Sequence, residues 1–106
     1  MPTGRLGVAA PAADTNTTVY TVPAGTIATL NVATVNRGAD AATVRVAIAN
    51  SDVPTTAEFI EYGAQVPGNG GVLERTAIVA GAGERVVVHC STANCSVRVH
   101  GFEEGR

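Results

Sequence analysis

Arg85-Val86-Val87-Val88-His89-Cys90-Ser91-Thr92-Ala93-Asn94-Cys95-Ser96-Val97-Arg98-Val99-His100 is the stretch on which the fold turns. Successive side chains of a strand point to opposite faces, so every second residue shares a side. With Ser91-Thr92-Ala93-Asn94 as a four-residue loop, Cys90 faces Cys95, Val88 faces Val97 and Val86 faces Val99. These six make one apolar face. Val87, His89, Ser96, Arg98 and His100 fall on the opposite, wetter face. A slip of one residue would scramble that separation, so the pattern favours its own register. The stretch predicts an antiparallel hairpin over 85–100.

The same grammar runs back toward the N-terminus. Short apolar runs are separated by turn signals roughly every 8–12 residues, the spacing of a sandwich or barrel. Arg5 to Ala10 reads as a strand ended by Pro11, and Thr17 to Val22 as a second. Pro23-Ala24-Gly25 turns the chain into a long strand, Thr26 to Val35. After Asn36-Arg37-Gly38-Ala39-Asp40, Val44, Val46 and Ile48 share one face, with Thr43 and Arg45 on the other. Asn50 to Pro54 breaks the pattern, and Thr55 to Glu58 reads as one helical turn or plain loop, with loop favoured. Phe59-Ile60-Glu61-Tyr62 is extended again. Pro67-Gly68-Asn69-Gly70-Gly71 turns the chain into Val72 to Val79. The whole predicts one all-β domain over 1–106, a single antiparallel β-sandwich of about eight short strands, jelly-roll-like.

Composition agrees. Among 106 residues there are 12 Gly, 5 Pro, 2 Tyr, 2 Phe and no Trp, and hydrophobic residues make up 45%. Valine, alanine and threonine dominate, and β-branched side chains pack well on a pleated surface. All seven basic residues are scattered arginines against nine acids. No basic face of the kind that holds phosphates is visible, so no nucleic-acid partner is expected. No apolar run is long enough to span a bilayer, and no membrane partner is expected. Met1-Pro2-Thr3-Gly4-Arg5 lacks the apolar core of a signal peptide, so use without secretion is expected. For that reason Asn16-Thr17-Thr18 and Asn94-Cys95-Ser96 are discounted as glycosylation sites.

Few residues suggest chemistry. Cys90 and Cys95, opposed across the predicted hairpin, are two small buried groups continuing the valine face, or else a disulfide. His89 and His100 lie on the other face, so the four would not converge on zinc. Glu58 and Glu61 differ in strand parity, and Glu103-Glu104 is expected to be solvated. No nucleophile elbow, P-loop or metalloprotease motif occurs. No catalytic residue, metal or cofactor is therefore expected. Glu74 and Arg75 interrupt a strand that is apolar in both parities, which suggests cover on both faces, either by its own fold or by a partner. The two are expected either at a partner surface or in a structural salt bridge. Met1, Pro2, Thr3 and Gly4 are read as a terminal docking arm.

Several segments together resemble a family of small tailed-phage virion proteins, seen especially in cyanophage-like and marine phages. They are Tyr20-Thr21-Val22-Pro23-Ala24-Gly25-Thr26, Asn36-Arg37-Gly38, Val44-Arg45-Val46-Ala47-Ile48-Ala49, Phe59-Ile60-Glu61-Tyr62, Gly71-Val72-Leu73-Glu74-Arg75-Thr76 and Val99-His100-Gly101-Phe102-Glu103-Glu104. The resemblance spans about Tyr20 to Glu104, and its motifs are strand and turn signatures. It implies a non-enzymatic virion component, assembled in the host cytoplasm. The leading expectation is a capsid cement or decoration protein, a homo-oligomer (a trimer) bound to the major capsid protein. A tail, baseplate or collar component is the alternative. A carbohydrate-binding module is a third reading, poorly supplied with aromatics by Tyr20, Phe59, Tyr62 and Phe102.

Overall fold

The computed structural model describes residues 3–105. Eight strands follow one another: β1 (Thr3–Ala9), β2 (Thr15–Thr21), β3 (Thr26–Asn36), β4 (Ala42–Ala49), β5 (Phe59–Val66), β6 (Gly71–Gly81), β7 (Arg85–Cys90) and β8 (Cys95–Gly105). Their pairing is nested about the β4–β5 connection. β4 pairs with β5, β3 with β6, β2 with β7 and β1 with β8, all antiparallel. Such a ribbon buries its apolar side by wrapping on itself, which adds the pairs β3–β8 and β4–β7. Two four-stranded sheets result, β1-β8-β3-β6 and β2-β7-β4-β5. This is the jelly-roll form of the β-sandwich, and the antiparallel sandwich of about eight strands is as the sequence predicts.

One correction concerns the stretch that set the fold. β7 and β8 are not a hairpin. They lie in different sheets, and residues 91–94 carry the chain across the sandwich. The face assignment survives. Val86, Val88, Cys90, Cys95, Val97 and Val99 all line one core. They do so across the gap between sheets rather than along one sheet. Alternation places a side chain on a face but does not name the neighbouring strand. Here β7 takes β2 and β4 as neighbours, and β8 takes β1 and β3.

The core is built from small aliphatic groups. Val22, Ala28, Leu30, Val32, Val44, Val46 and Val66 join the six already named. Burying each valine or leucine contributes roughly 1.5–3 kcal/mol. One polar pair crosses this layer. The Tyr20 hydroxyl on β2 donates to Glu103 Oε2 on β8 at 2.5 Å, and both residues are buried. Glu103 is therefore not solvated as its terminal position suggests. It shares parity with Val97 and Val99 and points inward. Burial first, and then the Glu103 carboxylate, push the Tyr20 phenol well above its ordinary range, so Tyr20 stays a donor.

One end of the sandwich is closed by loops tied to Asn36, which is fully buried. Its Nδ2 donates to the carbonyls of Asp40 (2.8 Å) and Val66 (3.1 Å), and its Oδ1 accepts from the Gly38 amide (3.0 Å). Near the other end, β8 runs so close to β3 that Gly101 is required. Its φ is +149°, and a Cβ there would lie 2.1 Å from the Thr29 carbonyl oxygen.

Two smaller corrections apply. Thr56–Glu58 forms a 3₁₀ turn rather than loop, held by a capping box between Thr55 and Glu58. Thr3 and Gly4 are not a free arm. They pair with Phe102 and Gly101 in β1–β8, while Met1 and Pro2 lie outside the described residues.

Tyr20→Phe leaves a buried carboxylate without its donor and is expected to cost about 1–3 kcal/mol in chemical denaturation. Adding Glu103→Leu should recover most of that loss, because an apolar pair replaces a stranded charge. A double variant no more stable than Tyr20→Phe would show that the pair does not bridge the sheets energetically.

Candidate functional surfaces

The two broad outer faces differ. On the β2-β7-β4-β5 sheet, Ala47, Ala49 and Val87 are buried beneath Phe59 in a small second cluster. The β4–β5 connection lies over this face. Asp52 Oδ1 accepts from Thr18 Oγ1 on β2 (2.6 Å) and from Arg85 Nη1 on β7 (2.9 Å). The Glu58 carboxylate accepts from the amides of Asn50 (3.0 Å) and Thr55 (2.8 Å). The Thr18 hydroxyl, then Arg85, hold the Asp52 carboxyl below its usual range. The Thr55 and Asn50 amides do the same for Glu58. At the edge, the Arg45 guanidinium stacks 4.3 Å from the Tyr62 ring centre, and Phe59 meets Tyr62 edge-on at 5.0 Å.

The outer face of the β1-β8-β3-β6 sheet has no such strap. Strand pairing lays its side chains in rows. Val35 is flanked by Ser96 on β8 and Val72 on β6; Ala33 by Arg98 and Glu74; Thr29 by Phe102 and Val79. Val8, Val72, Val79 and Phe102 are exposed. An apolar trough of about 530 Å³ runs over one end of the face, lined by Val8, Ala33, Val35, Val72 and Arg98 among others. A smaller hollow of about 380 Å³ between Gly25, Thr26, Ile27, Gly81 and Ala82 has no titratable lining.

The residues singled out from the sequence separate here. Arg75 does not stand on the open outer face. It lies on the inward side of edge strand β6 and forms an ion pair with Glu61 on β5, the edge strand of the other sheet. The pair joins the two sheet edges, which is the structural alternative expected of it. Glu74 points outward and is exposed. The expectation of cover on both faces of Val72–Val79 fails within the chain: Val72 and Val79 are 60% and 61% exposed. A bulge explains the double parity. Ala77 takes φ +58°, its amide donates to Asn31 Oδ1 (3.0 Å), and the alternation inverts, so Leu73 and Ile78 both face the core.

Cys90 and Cys95 do come together, both fully buried, as free thiols facing each other between the sheets. Burial, and then the neighbouring Cys95, push the Cys90 thiol up to about 12. A protonated, enclosed thiol is a poor nucleophile. His89 and His100 lie on opposite outer faces of the sandwich, one in each sheet. Among the described residues no group of three or more His, Cys, Asp or Glu is placed to hold a metal ion. Tyr20 is buried, and Phe102 lies on the face away from Phe59 and Tyr62, so the four aromatics form no common platform. Comparison with protein families, with curated proteins and with solved structures finds no match to this chain.

The Cys90 thiol sets an alkaline limit. At pH below 9.0, its ordinary value, both folded and unfolded chains keep the proton and stability is unaffected. Between 9.0 and about 12 the unfolded chain releases it and the native chain does not, so stability should fall with rising pH. Cys90→Ala should flatten that fall in denaturation curves recorded from pH 8 to 11. An unchanged slope in the variant would refute the assignment.

Removing the loop anchor acts at the other end of the scale. The depressed Asp52 and Glu58 carboxylates contribute stability above their ordinary values, which is lost as pH falls through their folded ones. Asp52→Asn should speed amide exchange in 50–58 at pH 7 and weaken its acceleration below pH 4. The core strands should be untouched. Equal protection in both proteins would exclude the anchoring role.

Proposed function

We propose that this chain is a virion structural protein, most specifically a capsid cement or decoration protein that stabilises the head shell by bridging capsomers. The observation that carries the reading is that both broad sides of the sandwich present exposed apolar groups. Val8, Val72, Val79 and Phe102 lie on one. Val53, Ile60 and Tyr62, exposed at 71%, 37% and 65%, lie along the strap and edge of the other. A rigid slab with contact groups on two sides can join two bodies. Exposed apolar groups in one region mark interaction surfaces more often than they mark chemistry. The resemblance of the segments from Tyr20 to Glu104 to small virion proteins supplies the setting. The fold alone does not, because jelly rolls serve many functions.

Cement proteins act through area. Each copy adds contacts across a junction, so neighbouring shell subunits must be parted together. An interface of about 1,600 Å² suffices for stable association, and repetition around symmetric sites adds avidity. The major capsid protein is the partner this reading requires, with no part for nucleic acid, membrane or cofactor. A tail, baseplate or collar component is the second reading, favoured by the same apolar faces and by edge strands open to strand addition.

Copy number separates them. Quantitative mass spectrometry of purified particles carrying this chain should give hundreds of copies per particle, with heads that lose their contents at lower temperature when the chain is absent. A few dozen copies or fewer would transfer the chain to the tail. Its absence from particles would overturn both readings.

A further inference from the structure

The outer face of the β1-β8-β3-β6 sheet is complementary to itself. Strand β3 runs along its middle, and the outward residues of β3 are uncharged: Ile27, Thr29, Asn31, Ala33 and Val35. The flanking strands oppose one another in character. On the β8 side stand Ser96, Arg98, His100 and Phe102; on the β6 side, Val72, Glu74 and Val79 stand at the rows of Ser96, Arg98 and Phe102, and the bulge lies at the row of His100. Hole faces knob, base faces acid and aromatic faces aliphatic, each across β3. Among the described residues neither Arg98 nor Glu74 has an ion-pair partner, and both are exposed.

We propose that this face binds a second copy of the chain, in a two-fold dimer whose axis runs close to the direction of β3 and passes over Ala33. A two-fold axis in the contact plane brings β8 of each copy onto β6 of the other. Arg98 then meets the acid of the facing copy, twice. Val72 enters the trough above Ser96, and Phe102 covers Val79. Residues of β3 meet their own counterparts. Face-to-face sheets pack about 10 Å apart and rotated by about 30°. The Arg98–Glu74 row is close to the middle of β3, where such a rotation displaces side chains least.

The area is adequate. Three strands by eight or nine residues cover roughly 15 Å by 30 Å. Two such faces bury on the order of 1,000 Å², the lower limit for a specific contact, so association should be reversible and concentration-dependent. Uncovered, the same face would leave Val72, Val79 and Phe102 in water. The proposal does not rest on the virion reading. It also differs from the trimer implied by the resemblance, since a two-fold pairing uses up the face.

Sedimentation velocity of the full chain from about 5 to 300 μM, under reducing conditions, tests it. A monomer–dimer equilibrium is expected. Glu74→Arg and Arg98→Glu should each raise the dissociation constant at least about tenfold, because like charges then face each other twice. The combined swap should return it to within about threefold of the parent. Cross-linking gives a second reading of the geometry. Ala33→Cys, on the axis, should be joined into a covalent dimer by a short bismaleimide that spans the roughly 10 Å between facing sheets, and Thr43→Cys, on the other sheet, should not. A monomer throughout, a trimer as the first assembled species, single swaps without effect, or a combined swap no better than the singles would each overturn the proposal.

Discussion

The layer between the two sheets is the constraint on which everything else depends. It must be filled to crystal-like density by whatever side chains the chain can supply. This chain supplies valine, alanine and one fully buried leucine, with no tryptophan and with phenylalanine kept outside the main cluster. Small branched groups interdigitate well but leave little tolerance for error. A strand shifted by one residue would put threonine or arginine into the layer. Of the polar side chains admitted, the largest are tied at once, while the buried Thr34 hydroxyl has no partner. Tyr20 takes up Glu103, and Asn36 takes up the loops beside it. The Tyr20–Glu103 bond and the Asn36–Val66 bond join parts of the chain far apart in sequence, so they stabilise the wrapped ribbon, while the Asn36 bonds to Gly38 and Asp40 close the local turn.

That constraint explains what could be read in advance. Which side of each strand faces inward was visible in the alternation of Val86, Val88 and Cys90 and of Cys95, Val97 and Val99. So was the number of strands. Which strand lies beside which was not visible. A valine buried across a sandwich and a valine buried along a hairpin leave the same alternation, so β7 and β8 read as partners when they are opposite walls. The irregularities were equally hidden. The bulge at Thr76 and Ala77 appears in sequence as a strand apolar in both parities, which reads as cover on both faces although the chain's own fold covers only one. Glu103 did carry a usable signal. It keeps the inward parity of Val97 and Val99, and its companion is a tyrosine of matching inward parity on β2.

For the surface, the sequence located charged residues without their directions. Glu74 and Arg75 are neighbours, yet the pleat sends them to opposite sides. Arg75 closes the seam between sheet edges with Glu61, and Glu74 stands on the open face. Edge closure matters because β5 and β6 would otherwise present open strands to any passing chain. A charged seam and a bulged β6 discourage strand addition there. What remains available for contact is the flat outer faces and the opposite edge, formed by β1 and β2.

Those faces are unequal for a reason internal to the chain. The connection between β4 and β5 is long enough to fold back over its own sheet, where Asp52 reaches β2 and β7 and Phe59 covers Ala47 and Val87. The opposite sheet is joined by turns at its ends and receives no comparable segment. Its exposed valines and Phe102 can be covered only from outside. If the cover is a second copy, the strapped faces of the pair point outward in opposite directions. Each then carries Tyr62 with its stacked Arg45 at an edge. A dimer of this kind would offer two equivalent outer surfaces to a shell, which suits a bridge at a two-fold junction better than a cap at a three-fold one. Self-association and shell binding would then use different sides of the same sandwich, and neither would have to displace the other.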